Sequence, residues 1–277
     1  MKIDGVVFNY LLFIKAKGIS MKYAKKILLL VIFLSQSLSS AYALTALEIL
    51  KQSDKVRNPN TPFSTNVTLV EYNKAKQVDR LVLKVHSKVH PKNGQYRTLV
   101  KFVQPTKDKG KLMLRNGNEL WFYDPAASNS IRLSAQQRLL GQSSNGDVMT
   151  ANFALDYHVK LIGEKSLKDA NKKTRQTYHL FMKAKNNSVT YASADFWVDK
   201  KNYQPVKAKF YSSSKRLMKI VYYRRYQNQL GGMRPTEVLI IDGIDTKKVT
   251  RMQLNNYRAI TIPEAWFQRS YLPRFKG

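Results

Sequence analysis

The sequence predicts a mainly β protein: one curved antiparallel sheet with a few short helices. Three observations carry this. Segments rich in Val, Leu, Thr and aromatics recur through almost the whole chain, turn-type residues separate them, and no long helical pattern lies between them. Successive strands joined by short turns make an antiparallel meander, and a sheet of about ten such strands curls or closes on itself.

The elements follow in order. Residues 45–53 place Leu47, Ile49 and Leu50 on one side of a short helix, with Thr45 as N-cap, and Asn58-Pro59-Asn60 ends it. Strands are expected over 63–72, 77–86 and 96–104, with turns at 73–76 and 91–94. Residues 111–115 and 120–123 flank Asn116-Gly117, the strongest short hairpin signal in the chain. In the middle, 134–140 and 147–155 read as two short helices around a loop of Gly, Ser and Asn at 141–146. Strands resume over 157–164, 174–184, 193–198, 205–211, 217–226, 234–241 and 247–254, and a last short helix is expected over 264–271. The chain shows no repeat, linker or low-complexity segment. The helices would cover one mouth of the curled sheet, whose inside is a natural apolar cavity.

The N-terminus reads as a leader. Lys22, Lys25 and Lys26 precede an apolar run from Ile27 to Leu34, and Ala41-Tyr42-Ala43 supplies the small residues of a signal-peptidase site. The apolar run is shorter than the ~20 residues that span a bilayer. A second weak apolar patch, 6–14, lies upstream, so Met21 is the expected start. Residues 1–43 are thus read as extension and cleavable signal, and 44–277 as a single exported domain in the periplasm.

The chain has no cysteine, which excludes a lipid-anchored lipoprotein, disulfides and thiolate chemistry. It carries a formal net charge of +30. Six of the 48 Lys/Arg and one of the 18 Asp/Glu lie in the leader, so the exported part carries +25. Such a charge ordinarily suggests nucleic acid, but an exported protein meets anionic headgroups, glycolipids and acidic polymers instead. An anionic membrane surface is therefore an expected partner and nucleic acid is not.

Catalytic chemistry has little to draw on. His86, His90, His158 and His179 lack carboxylates at metal-ligand spacing, and no metal or cofactor is expected. The 141–146 loop is not a nucleophile elbow, because its second glycine comes one residue late. Asp147, Asp156, Asp195 and Glu264 are the carboxylates with functional potential, and a glycosidase-like pair among them is the enzymatic alternative. The reading is of a protein that is not an enzyme. What the strands offer instead is an aromatic surplus, 16 Tyr, 12 Phe and 3 Trp. Trp121-Phe122-Tyr123, Phe196-Trp197 and Val221-Tyr222-Tyr223 must face both sides of the sheet, because strand side chains alternate.

The central block runs Phe102-Val-Gln-Pro105, Lys109-Gly110, Met113-Leu114, Trp121-Phe122-Tyr123-Asp124-Pro125, Ile131-Arg132-Leu133-Ser134 and, after the Gly loop, Asn152-Phe153 to Asp156-Tyr157. Trp197-Val198-Asp199, Pro205 to Ala208 and Lys219-Ile220-Val221 follow. In order and spacing this resembles the LolA-like outer-membrane lipoprotein-sorting family, in its branch of stand-alone periplasmic proteins, over most of residues 45–257. The resemblance implies an incomplete β-barrel with helices as a lid over its opening. It also implies a hydrophobic cavity shielding the acyl chains of a lipoprotein or other lipid in transit between inner and outer membranes. An inner-membrane exporter of the resistance-nodulation-division (RND, MMPL-like) type is the membrane partner it points to, and it brings no catalytic residue. The expected lipid-binding lining is Leu112, Leu114, Trp121, Tyr123, Leu133, Phe153, Phe196, Phe210 and Tyr222. The alternative from another class is a basic envelope protein that binds acidic polymer or headgroups through its outer face, without a carrier cavity.

The leader yields a direct expectation. N-terminal sequencing of protein recovered from the periplasm should begin at Leu44; a product that keeps Met1 or Met21 in a membrane fraction would refute cleavage.

Overall fold

The computed structural model describes residues 44–276. The proposed signal and its cleavage site lie outside the described residues. Helix α1 (Ala46–Arg57) opens with the capping box anticipated at Thr45: its hydroxyl accepts the Glu48 amide, and the Glu48 carboxylate accepts the Thr45 amide. One stripe, Ile49, Leu50, Ser53 and Asp54, is buried, whereas Leu47 is turned out and 39% exposed. The helix runs to Arg57 and stops at the expected break, with Asn58 as its C-cap.

Six strands follow as a meander: β1 (Phe63–Asn73), β2 (Lys76–Val89), β3 (Tyr96–Gln104), β4 (Leu112–Asn116), β5 (Glu119–Asp124) and β6 (Asn129–Arg132). The short strand β6 has no counterpart in the sequence reading. At the β4–β5 turn Asn116 pairs with Glu119, so the two turn residues are Gly117 and Asn118, with Gly117 in the left-handed region (φ 61°). A second meander holds β9 (Tyr157–Lys168), β10 (Thr174–Ala184), β11 (Ser193–Asp199), β12 (Pro205–Tyr211), β13 (Leu217–Gln229), β14 (Gly232–Asp242) and β15 (Lys248–Ala259). First and last strands pair antiparallel, β1 with β15, and this merges the meanders into one 13-stranded sheet. Its edges are β6 and β9, so the sheet curves without closing.

Residues 133–156 run between those two edges. The helix expected over 134–140 is absent. Its residues are good helix formers, but their carbonyls are taken elsewhere: Ala135 accepts the Gly146 amide, Gln137 the Asn145 amide, and Ser134 the Asn145 side chain. Tertiary bonding overrides local propensity here. The segment contains a two-stranded hairpin, β7 (Arg138–Leu140) and β8 (Ser143–Ser144), then a 3₁₀ turn, Asn145–Val148, and a single helical turn, α2 (Phe153–Asp156). The 141–146 loop thus connects strands rather than helices, and Ser143, Ser144 and Asn145 in it are buried. The last expected helix is two 3₁₀ turns, Glu264–Phe267 and Arg269–Arg274.

The sheet has two packed faces. The concave face carries the main core, with Leu69, Leu83, Val100, Met113, Leu180 and Phe196 among its enclosed side chains, covered by α1 and by 133–156. On the convex side, Leu99, Leu112, Leu114 and Tyr123 pack under Ile262, Phe267 and Leu272 of the C-terminal segment. His86 lies at this second interface, edge-on to Trp266 and Phe275 with ring centroids 5.2 and 5.9 Å away. Both its ring nitrogens are buried without a hydrogen-bond partner. Burial, aided by Lys84 and Lys101, pushes the imidazole down to about 4 from the usual 6.5, so it sits neutral.

A histidine held neutral destabilises the fold as acid protonates the unfolded chain first. The interface is at full strength above pH 6.5 and weakens as pH falls from 6.5 towards 4, by up to about 3 kcal/mol. His86→Leu should flatten the loss of urea-unfolding stability across that window; an unchanged pH slope would refute the assignment.

Candidate functional site

The site is built where the concave face meets its cover. Alternation decides which side chains reach it. On β12 and β13, Phe210, Val221 and Tyr223 point inward, while Lys207, Lys209 and Tyr222 point out. With Val67 of β1, Val85 of β2, Ile240 of β14 and Met252 of β15 they line a largely apolar cavity of about 140 Å³. Val148, Met149 and Phe153 close it from the covering segment. Phe153 of α2 meets Phe196 and Phe210 edge-to-face, with centroids 6.0 and 6.5 Å apart.

The expected lining divides along this parity. Phe153, Phe196 and Phe210 come together on the concave side. Leu133 also lies there, but on a separate groove between the sheet and hairpin β7–β8. The remaining five are corrected to the convex face. Leu112, Leu114 and Tyr123, with Trp121 packed against them, are covered by the C-terminal segment, and Arg269 lies 4.0 Å over the Trp121 ring. Tyr222 faces outward beneath Lys207. In two of the three aromatic runs the opposite neighbour is the inward one, Phe122 rather than Trp121 or Tyr123, and Val221 and Tyr223 rather than Tyr222, whereas in Phe196-Trp197 the expected Phe196 faces in. The alternation was legible; its phase was not.

Polar groups fasten the cover. Lys219, buried on the concave side of β13, donates to the Gln142 carbonyl (2.6 Å) and to Asp147 Oδ2 (2.7 Å). Asp147 also accepts from the Ser144 amide (2.8 Å) and the Tyr191 hydroxyl (2.7 Å). Burial raises the Tyr191 phenol well above its ordinary value, so it remains a donor. The Gln142 amide donates to Thr250 Oγ1 on β15 (2.7 Å). At Gly146 a Cβ would lie 2.1 Å from Thr190 Oγ1, so only glycine fits. At the other end, Asp54 accepts the Ala154 amide (2.8 Å) and the Arg57 guanidinium. Arg57 also donates to the Ala151 carbonyl (2.9 Å) and stacks on Phe153, 3.6 Å from its centroid. Tyr191 carried no signal in the sequence, and Lys219 stood there only within the family-like order of motifs, since one lysine in so basic a chain otherwise reads as solvated.

The carboxylates considered for catalysis are each engaged in such contacts. Asp147 belongs to the latch, Asp156 accepts from Gln95 (2.9 Å), Asp195 bonds His179 (2.7 Å) and Tyr211 (2.8 Å), and Glu264 pairs with Lys88 and Arg97. Among the described residues, no three His, Cys, Asp or Glu converge as a metal-binding group, and no helix is long and apolar enough to cross a membrane.

Comparison with known proteins bears on this arrangement. A family model described as "Uncharacterized protein" matches residues 94–274. A solved LolA superfamily protein from Nitrosomonas europaea is 34% identical, with a TM-score of 0.74 over 83% of this chain and 100% of that one. The chain belongs to the LolA superfamily. Two further solved structures share the fold. A DUF1329 family protein from Desulfovibrio piger has 21% identity and a TM-score of 0.69, over 82% of this chain and 97% of that one. An outer membrane lipoprotein-sorting protein domain from Vibrio parahaemolyticus has 19% identity and a TM-score of 0.69, over 83% and 98%. A search of curated proteins found no match. Within this LolA-superfamily chain, the open sheet and its covered concave face are the features that suggest lipid or lipoprotein binding.

Removing one partner of a buried ion pair leaves the other charge uncompensated. Lys219→Met should therefore cost about 3 kcal/mol in urea unfolding and accelerate amide exchange at 142–148. Exchange there at the wild-type rate would show that the pair does not hold the cover.

Proposed function

We propose that the chain is a periplasmic carrier that shields the acyl chains of a lipoprotein or other lipid on its concave face during transfer between membranes. The observation that carries this reading is the apolar cavity roofed by a separate, polar-latched segment. Each CH₂ kept from water is worth about 0.8 kcal/mol, so a dry face is what such a cargo needs. At about 140 Å³ the cavity is smaller than the roughly 300–1,000 Å³ of typical ligand sites. Loading therefore requires the 133–156 cover to move, and the latch sets the cost of opening.

In this reading residues 1–43 direct export and are removed, and 44–277 form the carrier domain. The protein binds rather than catalyses. Its excess of Lys and Arg draws it to anionic membrane surfaces, by about 1 kcal/mol per residue near the surface, and an RND/MMPL-type exporter is the proposed membrane partner. The lipid-contacting residues are Phe153 and Phe210, joined by Val85, Val221 and Ile240, with Phe196 packed behind Phe153.

Uptake and membrane encounter should separate experimentally. Val221→Glu puts a lone carboxylate into the lining, and binding of a fluorescent fatty acid should be lost while far-UV circular dichroism is kept. Lys209→Gln, on the outer face, should weaken association with anionic vesicles in a salt-dependent way and leave uptake unchanged. Folded wild-type protein that takes up no fatty acid, phospholipid or lipopeptide would overturn the carrier reading in favour of outer-surface polymer binding.

A further inference from the structure

The concave side has a second, more open depression of about 560 Å³, between strands β2–β6 and hairpin β7–β8. Its floor is apolar: Leu81, Phe102, Met113 and Phe122 from the sheet, with Leu133 and Leu139 facing them from the cover. Ile131, on edge strand β6, is 50% exposed at its mouth. Its rim is cationic, with Arg80, Lys107, Lys111 and Arg138 against Asp79 and Asp108. Lys111 is committed, 2.8 Å from Asp108 and 3.6 Å from Asp124. Asp79 turns one oxygen to the Arg80 amide (2.7 Å). Among the described residues, no ion pair engages Arg80, Lys107 or Arg138, although Arg138 lies within electrostatic reach of Asp242.

This differs from the enclosed cavity, whose charged lining residues are each engaged: Asp147 by Lys219, Arg57 by Asp54 and the Ala151 carbonyl, and Asp156 by Gln95. A hydrocarbon chain has no use for cations, and a soluble anion has no use for a phenylalanine floor. The combination fits a molecule with both parts. We propose that this groove binds a single-chain amphiphile with an anionic head. Its carboxylate or phosphate pairs with Arg80, Lys107 and Arg138, and its hydrocarbon lies on Leu81, Phe102 and Phe122. Guanidinium groups suit both head types, since their planar donors meet paired oxygens, and the volume falls within the range of small-molecule sites. The proposal rests on the carrier reading only in giving the hydrocarbon to the concave face.

The test is isothermal titration of the mature protein with dodecanoate, dodecyl phosphate, dodecyl maltoside and dodecyltrimethylammonium below their micellar concentrations, with inorganic phosphate as a headgroup alone. The two anionic amphiphiles should bind about tenfold tighter than the neutral and cationic ones, the worth of a charge-assisted contact. Added salt should narrow that gap. The triple variant Arg80→Gln, Lys107→Gln, Arg138→Gln changes only exposed side chains and should abolish the preference while keeping affinity for dodecyl maltoside. Inorganic phosphate should not compete. Equal affinity for all four head types or a preference that survives the triple variant would each overturn the headgroup site and leave the carrier reading standing, and competition by phosphate alone would overturn the amphiphile in favour of a free-anion site. Binding of none of the amphiphiles would overturn both.

Discussion

The pairing of β1 with β15 is the contact on which the rest depends. It joins residues about as far apart as the described chain allows, with Thr65 Oγ1 also donating to the Asn255 carbonyl at 2.8 Å. Without it there would be two separate meanders, β1–β6 and β9–β15, each with one apolar face in water. With it the two concave faces become continuous, and Val67, Leu69, Ile240 and Met252 form the centre of a single core. Such a contact closes a very long loop, whose entropic cost must be met before the core rewards it.

Because the sheet is completed at its termini, its unpaired edges fall in mid-sequence, at β6 and β9. The 24 residues between those edges are therefore free to serve as a cover rather than as strands of the main sheet. They are fixed by polar contacts, and the Asp147–Lys219 pair is one whose geometry has to be right to be favourable at all. Buried ion pairs add little net stability over apolar packing, but they define a single closed arrangement. In the proposed carrier, a cover held this way would give a specific closed state and a bounded cost of opening.

The two faces divide the work. The convex side spends its aromatics on internal packing, with Trp266 and Phe267 seated over β2–β5 and an unpartnered His86 beneath them. The concave side keeps a cavity and an adjoining groove whose hydrophobic surface is not consumed by the chain's own side chains. The excess cations are likewise unequal in role: Lys219 is locked inside, whereas Arg80, Lys107 and Arg138 remain uncommitted at a rim.

The sequence by itself determined the strands of the main sheet other than β6, the helix cap at Thr45, the turn after Asn116 and the mainly β, single-sheet class, because each is written in a local period or a short turn motif. The order of its motifs also carried the family. Tertiary structure decided which phase of each alternation faces inward: Leu112, Trp121 and Tyr222 read as well for the lining as Met113, Phe122 and Val221 do, since a period of two has no preferred side until a neighbour covers one of them. It decided, too, that 134–140 is a turn and strand rather than a helix, because its carbonyls find amides at 145–146. Lys219 became a latch only when folding removed it from water and set Asp147 beside it, a pairing across 72 residues that no local pattern encodes.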